Sequence, residues 1–233
     1  MKRRRLIIAL VGVAASPCVP AFAQSANDDA PVQRPDVKVG DKWTYLRMDY
    51  STNAPVEAYE LQVTFVSDVA ILGTATILGT GKVTSAYKGR TTAAPKSGDD
   101  TDVSFTRDWN DVGSSDGVVY VGNSGTLKFP LSVGASYRAD NEYRRPLLGA
   151  FHMKYERTAK VIGWERIAVP AGEFRALRIE LSGFGQRLDR PMSGITPARW
   201  KVWYAPEVKR MVKFEFQEGE VHRGAELASF SVH

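Results

Sequence analysis

Tyr59-Glu60-Leu61-Gln62-Val63-Thr64-Phe65 alternates without a break: Tyr59, Leu61, Val63 and Phe65 point to one side of an extended chain, Glu60, Gln62 and Thr64 to the other. Successive side chains of a strand lie on opposite faces, so this stretch reads as a strand with one face in a core and one in water. The pattern returns in Leu177, Ile179 and Leu181 against Arg178 and Glu180, and in Val212, Phe214 and Phe216 against Lys213 and Glu215. No window of comparable length carries apolar residues at i, i+3, i+4 and i+7 with helix caps, so helix is expected to be minor, one turn near Leu147 to Phe151.

Turn chemistry fits a meander of hairpins. In Val169-Pro170-Ala171-Gly172-Glu173, Pro170 presets φ for a type I turn and Gly172 suits the left-handed position of a following bulge. Gly79-Thr80-Gly81, Asp116-Gly117, Asn123-Ser124-Gly125 and Ala205-Pro206-Glu207 mark further turns. Gly89 to Asp100 has no periodic apolar face and is expected to be a mobile loop. The fold class is therefore all-β: an antiparallel, long-stranded meander forming a curved sheet, an open barrel or a two-sheet sandwich. Val39-Gly40-Asp41-Lys42-Trp43 resembles Val133-Gly134-Ala135-Ser136-Tyr137, and a Tyr-Glu pair follows each at similar spacing (Tyr59-Glu60, Tyr155-Glu156). This suggests two similar halves, 37–122 and 127–220, sharing one core; two long hairpins needing the same punctuation would look alike too.

The chain starts with an address. Lys2-Arg3-Arg4-Arg5, the apolar run from Leu6 to Ala15 and Ala21-Phe22-Ala23 have the order of a secretory signal peptide over 1–23, cleaved between Ala23 and Gln24. Arg3-Arg4-Arg5-Leu6-Ile7 admits a twin-arginine reading, but Lys2 stands where a polar Ser or Thr is usual, and Sec export fits better. Pro17 before Cys18, with Ala15 at −3, departs from the lipoprotein pattern. Residues 24–36 read as a flexible polar leader and 37–233 as one β-rich domain. The location expected is the periplasm or beyond.

Setting the signal aside removes four of 31 basic residues and none of the 26 acidic ones, which leaves 27 against 26. A nearly neutral chain has no global field for phosphate backbones, so nucleic-acid binding is not expected. Cys18 goes with the signal, and the mature chain is cysteine-free. No later stretch approaches the ~20 apolar residues of a membrane-spanning helix.

Three motifs are structural and occur in order: Val39-Gly40-Asp41-Lys42-Trp43-Thr44-Tyr45, Val169-Pro170-Ala171-Gly172-Glu173-Phe174 and Trp203-Tyr204-Ala205-Pro206-Glu207-Val208. Together they resemble a loose group of exported bacterial β-rich proteins of unknown function, from which this chain departs in carrying Glu207 and Lys209 where Gly is frequent. The resemblance implies a curved-sheet envelope protein of the kind that holds lipids or other hydrophobic molecules.

Candidate chemistry is sparse. His152, His222 and His233 are the only histidines, no G-x-S-x-G elbow is present, and His152 shares an alternating polar face with Lys154 and Glu156. Asp99, Asp100, Asp102, Asp108, Asp111 and Asp116 offer oxygens, but no bidentate Glu closes a calcium loop, and Asx turns are the plainer reading. No catalytic, cofactor-binding or metal-ligating residue is assigned. Arg199, Lys201 and Trp203 are expected to face out and Trp200, Val202 and Tyr204 in, giving a basic-aromatic surface at Arg199, Trp200, Lys201, Trp203 and Tyr204 for a ligand or partner.

The function expected is a non-catalytic envelope role, binding an apolar or amphipathic ligand such as a lipid within the curved sheet. A protein-interaction or structural envelope module using the 199–204 surface, and a hydrolase with a dispersed site at His152 or His222, are the alternatives. An empty apolar cavity of several hundred cubic ångströms would favour the ligand binder over a filled structural core.

Overall fold

The computed structural model describes residues 30–80, 98–146 and 151–233. The signal segment with its Ala23–Gln24 junction, most of the helical turn expected near Leu147 to Phe151 and most of the loop expected over 89–100 lie outside these residues, and Phe151 itself opens a strand.

Thirteen strands follow one another: β1 (Lys42–Asp49), β2 (Ala54–Val66), β3 (Ala70–Thr80), β4 (Asp100–Thr106), β5 (Asp111–Ser114), β6 (Val119–Tyr120), β7 (Ser136–Arg138), β8 (Asn141–Arg145), β9 (Phe151–Val169), β10 (Gly172–Arg187), β11 (Ile195–Ala205), β12 (Arg210–Glu218) and β13 (Val221–Ser231). Every pairing is antiparallel, and nearly every strand pairs with its neighbours in sequence. β13 returns to β1, and β8, β9 and β10 link the two ends of the order, so twelve strands close into a barrel. β7 is the extra strand, lying beside the middle of β9, with Tyr137 opposite Ala159. Closure removes the free edges of an open sheet. Among the described residues no α-helix occurs; the helical segments are short 3-10 turns such as Pro191–Ser193 and Pro206–Val208.

Alternation decides which way each strand faces. On β9, Met153, Tyr155, Ala159 and Val161 are buried, while Lys154, Glu156, Thr158 and Lys160 face outward. Outward positions on neighbouring strands form charge ladders: Lys201 with Glu215, Lys213 with Glu215 and Glu226, and Arg178 with Glu165 and Glu180. That exterior differs from the apolar band with aromatic girdles of a membrane-spanning barrel.

Tight coiling needs close backbone approach. Gly183 on β10 lies opposite Arg157 on β9, and a Cβ there would overlap the Glu156 carbonyl oxygen. Gly172, after the Pro170-Ala171 turn, starts β10 directly opposite Val169 at φ +131°, a positive φ that suits glycine but without the left-handed bulge position expected from the turn chemistry.

The two similar sequence segments fold into one local device. Gly40 N–H donates to Val63 O, and Val63 N–H to Asp41 O; Gly134 N–H donates to Val161 O, and Val161 N–H to Ala135 O. Both glycines have positive φ, 93° and 83°. Beyond this device the halves differ, because β1 is paired on both sides and β7 only with β9.

The end of the barrel where β1 and β12 begin is filled. Trp43, Tyr45 and Leu227 are wholly buried there, and Trp109 packs edge to face on Trp43 at 5.2 Å. The Trp43 indole donates to Val208 O at 2.8 Å and the Trp109 indole to Lys209 O at 2.9 Å, so the 3-10 turn before β12 is tied to the plug. Lys209 stands in the left-handed region at φ 61°, a conformation that favours Gly, and its ammonium bonds Asp36 O, Asp41 and His233 O. Contact with the barrel begins before Val37: Val32 exchanges both backbone bonds with Leu131, and Arg34 pairs with Asp108. The part of the expected flexible leader from Val32 onward is therefore anchored, because an edge residue and a charge find partners.

Candidate functional site

Above this plug the barrel holds a cavity of about 270 Å³. It reaches from Arg210 and Trp109, beside the plug, to Phe216 and Arg223, which face each other across β12 and β13. Phe216 lies six residue steps along β12 from Arg210, or roughly 20 Å at ~3.3 Å per residue.

Aromatic rings make much of the wall. Tyr155 meets Trp200 edge to face at 4.9 Å, Trp200 lies 5.1 Å from Phe216, and Tyr120 packs on Tyr143 at 5.5 Å. Burial pushes the phenols of Tyr120 and Tyr155 above the ordinary tyrosine range, so they stay neutral hydroxyls. The wall is thinnest at β5, β6 and β8: β5 meets β6 at the single pair Gly113–Val119 and β6 meets β8 at two.

Four arginines interrupt this lining: Arg145, Arg157, Arg210 and Arg223. Arg157 is 4% exposed; it donates from Nε to Ala139 O at 2.8 Å and from Nη2 to Ser124 O at 2.5 Å, and lies over Trp200 at 4.5 Å. Burial draws its guanidinium down to about 10, the nearby phenols and Asp140 opposing this. Arg210 is 7% exposed and stacks on Trp109, Phe105 and Trp43 at 4.2, 4.8 and 5.7 Å. Its Nε and Nη1 are enclosed and make no hydrogen bond; the same holds for Arg145 Nε and Asn141 Oδ1.

Asp111 is the one carboxylate in the wall. Burial raises its pKa, and Arg210 and the Ser124 hydroxyl pull it back. Arg210 and Asp111 face the same space without forming an ion pair.

The sequence-predicted surface is only partly brought together. Arg199 and Lys201 are exposed on the outer face and Trp200, Val202 and Tyr204 are buried, as alternation requires. Trp200 and Val202 line the cavity, whereas Tyr204 packs on Phe129 at 5.2 Å. Trp203 departs from the expected exposed anchor. It is 7% exposed, its indole donates to Glu165 at 2.8 Å, and Lys213 lies over its ring. Long side chains from β9 and β12 cover an indole that points outward.

The histidines have separate structural partners. The His152 ring bonds Glu142 at 2.6 Å beside Arg144, His222 packs on Tyr50, and His233 bonds Asp41. The acidic residues disperse: Asp100 accepts from Thr76, Asp108 pairs with Arg34, Asp116 accepts from Ser114, and Asp111 faces the cavity. Among the described residues no three His, Cys, Asp or Glu side chains form a group that could hold a metal.

Sequence reasoning missed Arg157, Arg210 and Trp109, and weighed Asp111 only as one oxygen donor of an acidic loop. For Arg157 a signal existed, since it falls in phase with Met153, Tyr155, Ala159 and Val161 on the inward face of β9. Trp109 had none, because it enters the barrel from a turn in which it takes φ 62°.

No protein-family model matches the sequence, and no curated protein does. Two solved structures resemble it. One is described as an exported protein with a YmcC-like fold, from Bacteroides fragilis; it is 11% identical, with a TM-score of 0.53 over 87% of this chain and 100% of that one. The other, described as a lipoprotein from Parabacteroides distasonis, is 10% identical, with a TM-score of 0.53 over the same shares. At these identities the likeness is one of fold.

Proposed function

We propose that this protein is an exported, non-catalytic envelope component that holds one small amphipathic molecule inside its barrel. The carrying observation is the cavity of about 270 Å³, walled by Tyr155, Trp200 and Phe216 and interrupted by arginines. A purely structural barrel would fill that space at interior density. The volume lies just below the ~300–1,000 Å³ of common ligand pockets, which suits a single chain or a small ring system rather than a two-chain lipid. Export rests on the basic, apolar and A-x-A order of residues 1–23.

Native mass spectrometry of protein purified from its own envelope tests the reading. The expected spectrum carries a one-to-one adduct that denaturation releases and lipid extraction recovers. Ligand-free protein in every preparation, together with no binding of an apolar fluorescent probe, would refute it.

A further inference from the structure

Among the described residues the cavity wall carries four guanidinium groups against one carboxylate, Asp111. A buried cation is costly unless an anion or a set of acceptors meets it. Arg157 has two carbonyl acceptors, which satisfy its N–H groups without neutralising its charge. Arg210 has less. Ring faces of Trp109, Phe105 and Trp43 surround it, and among the described residues two of its three nitrogens find no acceptor and no carboxylate forms an ion pair with it. Arg145 Nε is likewise unmet. Stacking on aromatic faces offsets part of the desolvation, but does not replace the missing acceptors.

We infer that the plugged end of the cavity is an anion subsite, in which Arg210 receives the acidic head group of a single-chain amphiphile whose apolar part lies along Tyr155, Trp200 and Phe216. This rests on the reading of the cavity as a ligand site and adds the charge and orientation of its occupant. An anionic head at this end neutralises the enclosed cation where the surroundings screen charge least. The apolar chain then meets aromatic walls, and Arg223, exposed at the far end, contributes little. The chemistry recognised is an anionic oxygen head, which a carboxylic acid or an alkyl phosphate could supply.

Delipidated protein is titrated with dodecanoate, dodecyl phosphate and dodecan-1-ol, following tryptophan fluorescence and calorimetry. The two anions should bind one to one, and the tighter of them about tenfold or more better than the alcohol; whichever is tighter identifies the head group. R210Q should abolish that preference while the alcohol still binds, and R223Q should change it less than about threefold. Should R210Q not fold, the carbon-13 resonance of carboxyl-labelled dodecanoate in the native protein serves instead, and the carboxyl should stay ionised well below its pKa free in solution. Equal affinity for acid and alcohol would overturn the anion subsite and leave the ligand-site reading standing. Loss of preference in R223Q but not R210Q would overturn the orientation. Failure of all three ligands to bind would overturn both.

Discussion

Trp43 and Trp109 meet edge to face at 5.2 Å, and their indoles donate to consecutive carbonyls, Val208 O and Lys209 O. One ring comes from β1 and the other from the turn before β5, so this contact joins distant parts of the chain to the turn that starts β12. Trp43 is wholly buried. Trp43→Phe keeps most of the ring but orphans the Val208 carbonyl, and urea unfolding should show a loss of about 1–3 kcal/mol. Trp43→Ala adds a cavity and should lose about 3–5 kcal/mol. Equal stability of the Phe variant and wild type would mean that the indole bond contributes nothing.

Gly183 and Gly79 separate two uses of glycine in strands. At Gly183 a methyl would overlap the Glu156 carbonyl oxygen and lie 2.8 Å from Arg157 Cα, so the clash is with backbone and no rotamer relieves it. At Gly79 no atom of the described residues lies within 4 Å of such a methyl. Gly183→Ala should cost about 2 kcal/mol or more by forcing β9 and β10 apart. Gly79→Ala should be neutral or stabilise by up to ~1 kcal/mol through the unfolded chain. Thermal unfolding of both variants decides it, and similar melting temperatures would remove the argument from close approach.

The long strands were legible because alternation is local. Tyr59 to Phe65, Leu177 to Leu181 and Val212 to Phe216 each carry their facing within one short stretch, and β2, β10 and β12 follow it. Closure was not legible, since it depends on β13 finding β1 across nearly the whole chain. The site was hidden for related reasons. Alternation states which way a residue points, not what covers it. Trp203 points outward and is buried by Lys213 and by a hydrogen bond to Glu165, while Arg157 points inward and lines a cavity. Trp109 and Asp111 come from a turn and a short strand, where period-two reasoning has no purchase.

The outer face allows a paired test of the discarded surface anchor. Lys201 sits 3.7 Å from Glu215 and is half exposed, a pair of the kind worth about 0–1 kcal/mol. Trp203 donates to a carboxylate that Arg178 also holds. Burial would raise the Glu165 carboxyl, but the Trp203 and Arg178 hydrogen bonds outweigh it and keep it below the usual range. Lys201→Ala should change stability by less than about 0.5 kcal/mol, whereas Trp203→Phe should lose about 1–3 kcal/mol. Denaturant midpoints measure both, and the reverse ranking would restore Trp203 to the exposed surface.

Asp41 ties the chain ends to the plug, and its titration should appear in the acid limb of stability. Its side chain is wholly buried, accepting from Lys38 N–H at 3.0 Å and His233 N–H at 2.9 Å, with Lys209 at 3.3 Å. Burial alone would raise its pKa. The two backbone N–H groups, the His233 ring and the Lys209 charge together outweigh burial and hold it below the usual carboxylate range. A carboxylate depressed in the folded state contributes stability that is fully present above its unfolded pKa, about 3.9, and is lost as pH falls through the folded value. Asp41→Asn should therefore be less stable than wild type near about pH 7, because an amide carries no charge for Lys209 and its single oxygen cannot replace the pair that accepts from Lys38 and His233. The difference should shrink steadily as the pH falls below about 3.9 and the wild-type carboxyl, depressed in the folded state, takes up its proton. Urea unfolding of both proteins across that range measures it, and a gap that stays constant with pH would show that the Asp41 charge does not support the fold.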